Sequence, residues 1–165
     1  MNDALAHMLA RYRCSTTGEC LSALREILQS LALLGLWRAK FFERAAFYGG
    51  TALRVLHGLD RFSEDLDFSL LAPDATFAFE PYCDALAREL RSFGLDVTVQ
   101  TRARRSAAQI ESAFVKANTR EHLIRIGVEA AYVEAIPRDQ TVKVRLEIDT
   151  QPPGAFATEM RYLFQ

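Results

Sequence analysis

The feature that most limits how this chain can fold is an acidic pair in a short apolar run, Glu64-Asp65-Leu66-Asp67-Phe68-Ser69-Leu70. Strand side chains alternate with a period of 2, so Leu66 and Phe68 point to one face while Asp65 and Asp67 point to the other. Two carboxylates side by side repel unless a cation joins them. A hard divalent ion such as Mg²⁺, held by one or two carboxylates and phosphate oxygens, is the natural third party. Just upstream, Ala45 to Tyr48 reads as a short apolar strand, Gly49-Gly50 as a turn, and the chain from about Thr51 as a helix. A glycine turn that hands a strand to a helix gathers bare N–H groups at one point, and phosphates settle there. A phosphate cradle followed by a carboxylate pair outlines a nucleotide site.

The flanking sequence supplies a frame for it. Residues 3 to 13 suit a short helix, broken at Ser15-Thr16-Thr17-Gly18, where a threonine can cap the next helix. Leu24, Ile27, Leu28, Leu31 and Leu34 recur at helical spacing from Leu21, predicting a helix that ends near Gly35. Trp37, Phe41 and Phe42 read as core aromatics in an irregular or short helical lead to the first strand. Pro73-Asp74 marks the loop after the acidic strand, and Phe79, Tyr82, Leu86, Leu90 and Phe93 predict a helix ending at Gly94. Leu95, Val97 and Val99 then alternate with polar residues as a strand. The run Arg102, Arg104, Arg105 reads as a solvated loop, or as a contact for an RNA backbone. Ile110 to Ala117 leans to strand, and Asn118-Thr119 can cap a short helix carrying Leu123, Ile124 and Ile126. From Thr141 to Asp149 apolar Val142, Val144, Leu146 and Ile148 alternate with Lys143, Arg145, Glu147 and Asp149, a strand with one charged face. Gln151-Pro152-Pro153-Gly154 closes it, and Met160 to Phe164 resembles the start of another element.

Composition sets bounds. At 165 residues, half of them apolar, the chain suits one domain, and a formal charge of −1 advertises no general attraction to nucleic acid. No run approaches the roughly 18 apolar residues of a spanning helix, and Met1-Asn2-Asp3 has no signal-peptide pattern, so a cytoplasmic protein with no membrane partner is expected. Cys14, Cys20 and Cys83 are odd in number and lack CxxC spacing; they read as free thiols.

If the strand with Asp65 and Asp67 pairs with the strand carrying Glu147 and Asp149, three or four carboxylates meet beside the glycine turn. Two metal ions about 3.5–4 Å apart can then clamp the attacking and leaving oxygens of an in-line phosphoryl displacement. Thr51 adds a hydroxyl to a nucleotide-binding set of Gly49, Gly50 and Ser63, and Arg54 or Arg145 can neutralise developing charge. Taken singly, Gly49-Gly50 is an ordinary tight turn and the aspartates a solvated strand edge. Their order along the chain is what argues against both.

That order resembles the nucleotidyltransferase superfamily typified by DNA polymerase β. More closely, GGTALR and RFSEDLDF resemble the AbiEii/AbiGii nucleotidyltransferase toxins of type IV toxin–antitoxin and abortive-infection systems. The similarity runs from about Leu21 to Thr150 and is strongest between Phe41 and Phe68. The resemblance implies an α/β (α+β) fold: a mixed, largely antiparallel sheet flanked by helices, mainly on one side. It implies transfer of a nucleoside monophosphate from a ribonucleoside triphosphate, with Mg²⁺ or Mn²⁺, to an RNA acceptor, the 3′ end of tRNA. An antitoxin encoded nearby would be a partner. Gly49, Gly50 and Thr51 match the phosphate-binding turn, Asp65 and Asp67 the metal pair, and Glu147 the third acidic position; Asp149 falls where many relatives carry a neutral polar residue. Family members commonly continue into a helical C-terminal part with a further lysine motif, and nothing here matches it. The chain is therefore expected to hold the N-terminal portion of the family's length as a single domain. Two other readings stand beside this one: a degenerate nucleotide-binding or regulatory protein without turnover, and transfer to a protein hydroxyl or an aminoglycoside-like molecule. Metal-dependent binding without product would mark the first, and mass analysis of the acceptor the second.

Overall fold

A computed structural model describes residues 3–102 and 110–163; Arg104, Arg105 and Phe164 lie outside the described residues. Helix α1 (Asp3–Leu9) leads to α2 (Thr17–Arg38), a 3₁₀ turn (Phe41–Glu43), β1 (Ala45–Tyr48), α3 (Gly49–His57), β2 (Asp65–Leu70) and α4 (Glu80–Ser92). Then come β3 (Thr98–Arg102), β4 (Ile110–Asn118), α5 (Thr119–Ile126), α6 (Ala130–Glu134) and β5 (Thr141–Asp149). The strands form one sheet in the order β1-β2-β5-β4-β3. β2 and β5 run parallel while the other neighbours are antiparallel, so the sheet is mixed and largely antiparallel as expected.

Alternation decides which face is covered. Leu66 and Phe68 of β2, Ala113 and Val115 of β4 and Val144, Leu146 and Ile148 of β5 share one core with Leu24, Ile27 and Leu31 of α2 and Leu86 of α4. Asp65, Asp67, Arg145 and Glu147 stand on the opposite face, where the three acids are half-buried and Arg145 is exposed. Phe41 anchors the core next to β1, with its ring 5.0 Å from that of Phe68 and 5.1 Å from that of Tyr82. Trp37 departs from the expected aromatic core and is 61% exposed, because it lies on the outer side of the last turn of α2.

Helix α2 begins as read, with the Thr16 hydroxyl accepting the Glu19 N–H at 3.2 Å. It does not end near Gly35 but runs on to Arg38. A Cβ at Gly35 would lie 2.7 Å from the Leu86 Cα, so this glycine is where α2 and α4 cross closely, not a stop signal. The full helix is also long and apolar enough to cross a membrane by length and composition, contrary to the expectation from apolar runs. Since 67% of that window is buried inside the fold, it is a core helix here.

The cysteine reading needs correction. Cys14 and Cys20 are disulfide-bonded, and Cys83 is the free, buried cysteine, its thiol pushed up to about 12 by burial and by Glu80. The turn capped by Thr16 folds the chain back until the two Cα atoms are 4.7 Å apart, within the span a disulfide bridges. Smaller differences have local causes. Leu95 and Val97 are buried ahead of β3, which begins only at Thr98, and α6 is too short to show a period in sequence. Met160 to Leu163 form no regular element, and Met160 is exposed.

Candidate active site

The site is assembled where β1 turns into α3 and where β2 lies against β5. Register places Asp67 opposite Glu147, Asp65 opposite Arg145 and Ser69 opposite Asp149 across the parallel pair, and Tyr48 of β1 opposite Asp67 on the other side. Neighbouring strands are about 4.8 Å apart and opposed side chains share a face. Three carboxylates separated by eighty positions of sequence between Asp67 and Glu147 thus become lateral neighbours on the open face.

The charges respond to this crowding. Burial, then the neighbouring Asp65 and Glu147, raise the Asp67 pKa above its ordinary value, and Arg145 partly offsets them. Burial, then Asp67, Asp149 and Glu147, raise the Tyr48 phenol. Arg145 is itself raised, first by its hydrogen bond to Glu147. It donates from Nη2 to Glu147 Oε1 and is thereby the cation standing among the acids. With Glu147 turned to Arg145, no three His, Cys, Asp or Glu side chains among the described residues converge to hold a metal ion as they stand.

The glycine turn is pressed against this cluster. Gly49 has φ +80°, and a Cβ there would lie 2.5 Å from Asp67 Oδ2 and 3.2 Å from its Cβ. Gly50 has no such backbone requirement, and its Cβ would lie 3.3 Å from the Ser63 Oγ. The glycine that cannot be replaced without strain is therefore Gly49. Tyr48 occupies the N-cap position of α3 without a side-chain cap, and no acidic residue lies in the helix's first turn. The first-turn N–H groups are left to an incoming anion.

Two expected nucleotide contacts are engaged elsewhere. Thr51 is fully buried and its hydroxyl donates to the Asp65 carbonyl, tying α3 to the start of β2; it positions Asp65 and offers nothing to a phosphate. Arg54 points away from the acids to Glu26 of α2, with Nε 2.9 Å and Nη2 2.7 Å from Glu26 Oε1. It braces α3 on α2. Gly49, Gly50, Ser63, Asp65, Asp67, Arg145 and Glu147 are brought together; Thr51 supports them and Arg54 does not join them.

Sequence reasoning missed two residues. Tyr48 is half exposed beside Asp67, and its parity with Ala46 on β1 would have placed it on the acidic face. Gln29 is buried in α2, and its amide donates to the Ser63 and Glu64 carbonyls at 3.0 and 3.1 Å, fixing the loop that delivers β2. A glutamine among the apolar residues of that helix was the signal.

An uncapped helix start thus lies beside acids on two paired strands, on a mixed sheet backed by helices. The family model described as nucleotidyl transferase AbiEii toxin, type IV toxin–antitoxin system, matches residues 31–165, and the chain belongs to that family. Two Helicobacter pylori crystal structures are similar in fold. One, solved as a candidate nucleotidyltransferase, is 19% identical with a TM-score of 0.46 over 76% of this chain and 44% of its own. The other, JHP933, is 18% identical with a TM-score of 0.45 over 81% of this chain and 46% of its own. The chain thus spans about half the length of the structures it matches. No curated protein matches it.

Proposed function

We propose that this chain is the catalytic part of a nucleotidyltransferase toxin that moves a nucleoside monophosphate from a ribonucleoside triphosphate to RNA, at the 3′ end of tRNA, in the cytoplasm. The reading rests above all on the cross-strand pairing of Asp67 with Glu147 against the uncapped start of α3. In this reading the N–H groups of Gly49 and Gly50 receive the triphosphate oxygens, and Gly49 lets them approach because it has no Cβ. Arg145 balances negative charge as it spreads over the phosphate. Glu147 orients the acceptor hydroxyl and takes its proton as the oxygen attacks the α-phosphorus; the bond to pyrophosphate breaks as the new phosphodiester forms.

The donor chemistry fits Mg²⁺ or Mn²⁺. The ligands are all hard oxygens, Asp67 is raised by burial and by the neighbouring Asp65 and Glu147, and Mg²⁺ needs only one or two carboxylates when phosphates complete its shell. Asp65 and Asp67 would hold it, joined by Glu147 once Arg145 turns to the phosphates. Bound there, the cation supplies charge neutralisation and a template for the reacting oxygens. Membership in a type IV system supports an antitoxin as the regulatory partner.

The test is incubation with each labelled ribonucleoside triphosphate, Mg²⁺ and total tRNA, read on a gel. Label should enter RNA with the native chain and not with Asp65→Asn or Asp67→Asn. Equal labelling by either variant would sink the assignment. Label in protein or in a small acceptor would replace RNA as the substrate.

A further inference from the structure

The open sheet face does not end at the acids. Beyond Glu147 and Arg145, β4 and β3 present Ser112, Phe114, Lys116, Gln100 and Arg102 on the same side, by register with β5 and with each other. Phe114 lies directly across from Arg145 on β5 and Gln100 on β3, and the Arg102 guanidinium sits over its ring at 5.2 Å. Lys116 and Lys143 are cross-strand partners. Like charges set directly opposite destabilise a sheet. Lys116 donates to the Gln100 side-chain Oε1 at 2.7 Å, and Lys143 has no carboxylate within salt-bridge distance among the described residues. Half-buried Phe114 thus lies among Arg102, Arg145, Lys116 and Lys143 on this face.

The geometry points to this β3–β4–β5 face as the track for the single-stranded acceptor end of RNA, with the Lys116–Lys143 pair on its backbone phosphates and the Phe114–Arg102 stack under a base. The inference rests on the RNA reading above. Two strand spacings, roughly 10 Å, separate the Phe114 column from that of Asp65 and Asp67, so a strand on the track arrives at the acids from the Glu147 side. Charge complementarity chooses the occupant: a protein or small acceptor gives no reason for two opposed ammonium groups, whereas a phosphate between them removes their repulsion. Base–aromatic stacking beside a cationic groove is how single strands are held without sequence readout.

The test is fluorescence anisotropy with a short labelled single-stranded RNA, over a range of salt, together with the tRNA labelling assay. Lys116→Gln with Lys143→Gln should lower the salt slope of log affinity by about 1.4, at about 0.7 per lost phosphate contact on a single strand. Phe114→Leu should weaken binding at least about fivefold with the salt slope kept. All these variants should keep native circular dichroism and the native calorimetric response to triphosphate, because none of the changed side chains touches the glycine turn. If the variants bind and label RNA as the native chain does, the track is elsewhere and the RNA reading survives. If the native chain ignores RNA and labels another acceptor, the RNA reading falls and the track with it.

Discussion

Gly49→Ala is the sharpest probe of the site because two independent costs meet at one carbon atom. A Cβ in the left-handed region costs about 1–2 kcal/mol. That same Cβ would lie 2.5 Å from Asp67 Oδ2 and 3.2 and 3.3 Å from its Cβ and Cγ, so the short side chain must leave its rotamer. An off-rotamer side chain adds about 0.5–1.5 kcal/mol. The total, about 1.5–3.5 kcal/mol, corresponds to a fall in Tm of roughly 3–14 °C for a chain of this size. Gly50→Ala is the matched control. Its φ is ordinary, its Cβ would meet only the rotatable Ser63 Oγ at 3.3 Å, and alanine gains up to about 1 kcal/mol of helix propensity, so stability should stay within about 1 kcal/mol of native. Function should divide the same way: displacing the Asp67 carboxylate should cost on the order of a hundredfold in nucleotide transfer, while Gly50→Ala keeps most of it. Thermal and urea unfolding of both variants decide the question. A Gly49→Ala protein that melts with the native chain, or a Gly50→Ala protein that loses more, would refute the argument.

Asp67→Asn should raise Tm at neutral pH. The folded-state pKa of Asp67 lies above the ordinary carboxylate value, so the fold loses stability as pH rises through that interval; removing the charge should erase this slope, and an unchanged pH profile would count against the crowding of Asp65, Asp67 and Glu147. Mg²⁺ alone should raise the Tm of the native chain and not of Asp65→Asn, and an equal shift in both would place the cation elsewhere. Thr51→Val should destabilise by about 1–3 kcal/mol, since it leaves the Asp65 carbonyl without its donor, with transfer reduced further by a drifting Asp65; a neutral variant would remove Thr51 from its positioning role. Reduction should lower the Tm of the native chain by removing a cross-link worth roughly 2 kcal/mol, and it should not change Cys14→Ser, which tests the pairing directly.

What the sequence disclosed follows from how local each signal is. β1 and β5 were legible to the residue, and β2 as the acidic run that contains it, because their side-chain alternation is strict and turn residues bound them. The adjacency of Asp67 and Glu147 followed only from supposing that two acid-bearing strands pair, since register across a parallel pair has no local signature. Gly35 looked like a helix end because a glycine there ordinarily is one; Leu86, far along the chain, is what makes it a crossing point. Arg54 stands one turn beyond Thr51 and so seemed to face the phosphates, but Glu26 claims it from a helix whose placement only the tertiary fold decides. Nor does the pair Gly49-Gly50 reveal by itself which glycine takes the positive φ; contact with Asp67 singles out Gly49. The Cys14–Cys20 bond escaped notice because an odd cysteine count does not reveal a turn that closes on itself.

The order of the strands has a consequence for how the chain folds as it is made. β5 is the last described strand to be translated, yet it inserts between β2 and β4 at the centre of the sheet. While a nascent chain still ends before Thr141, the β1–β2 and β3–β4 ribbons each present a bare inner edge, open to pairing with the wrong chain. Asp65 and Asp67 have by then left the ribosome without Glu147 or Arg145 beside them. The acidic constellation therefore comes into being in a single late event, when Thr141 to Asp149 enter the sheet between β2 and β4.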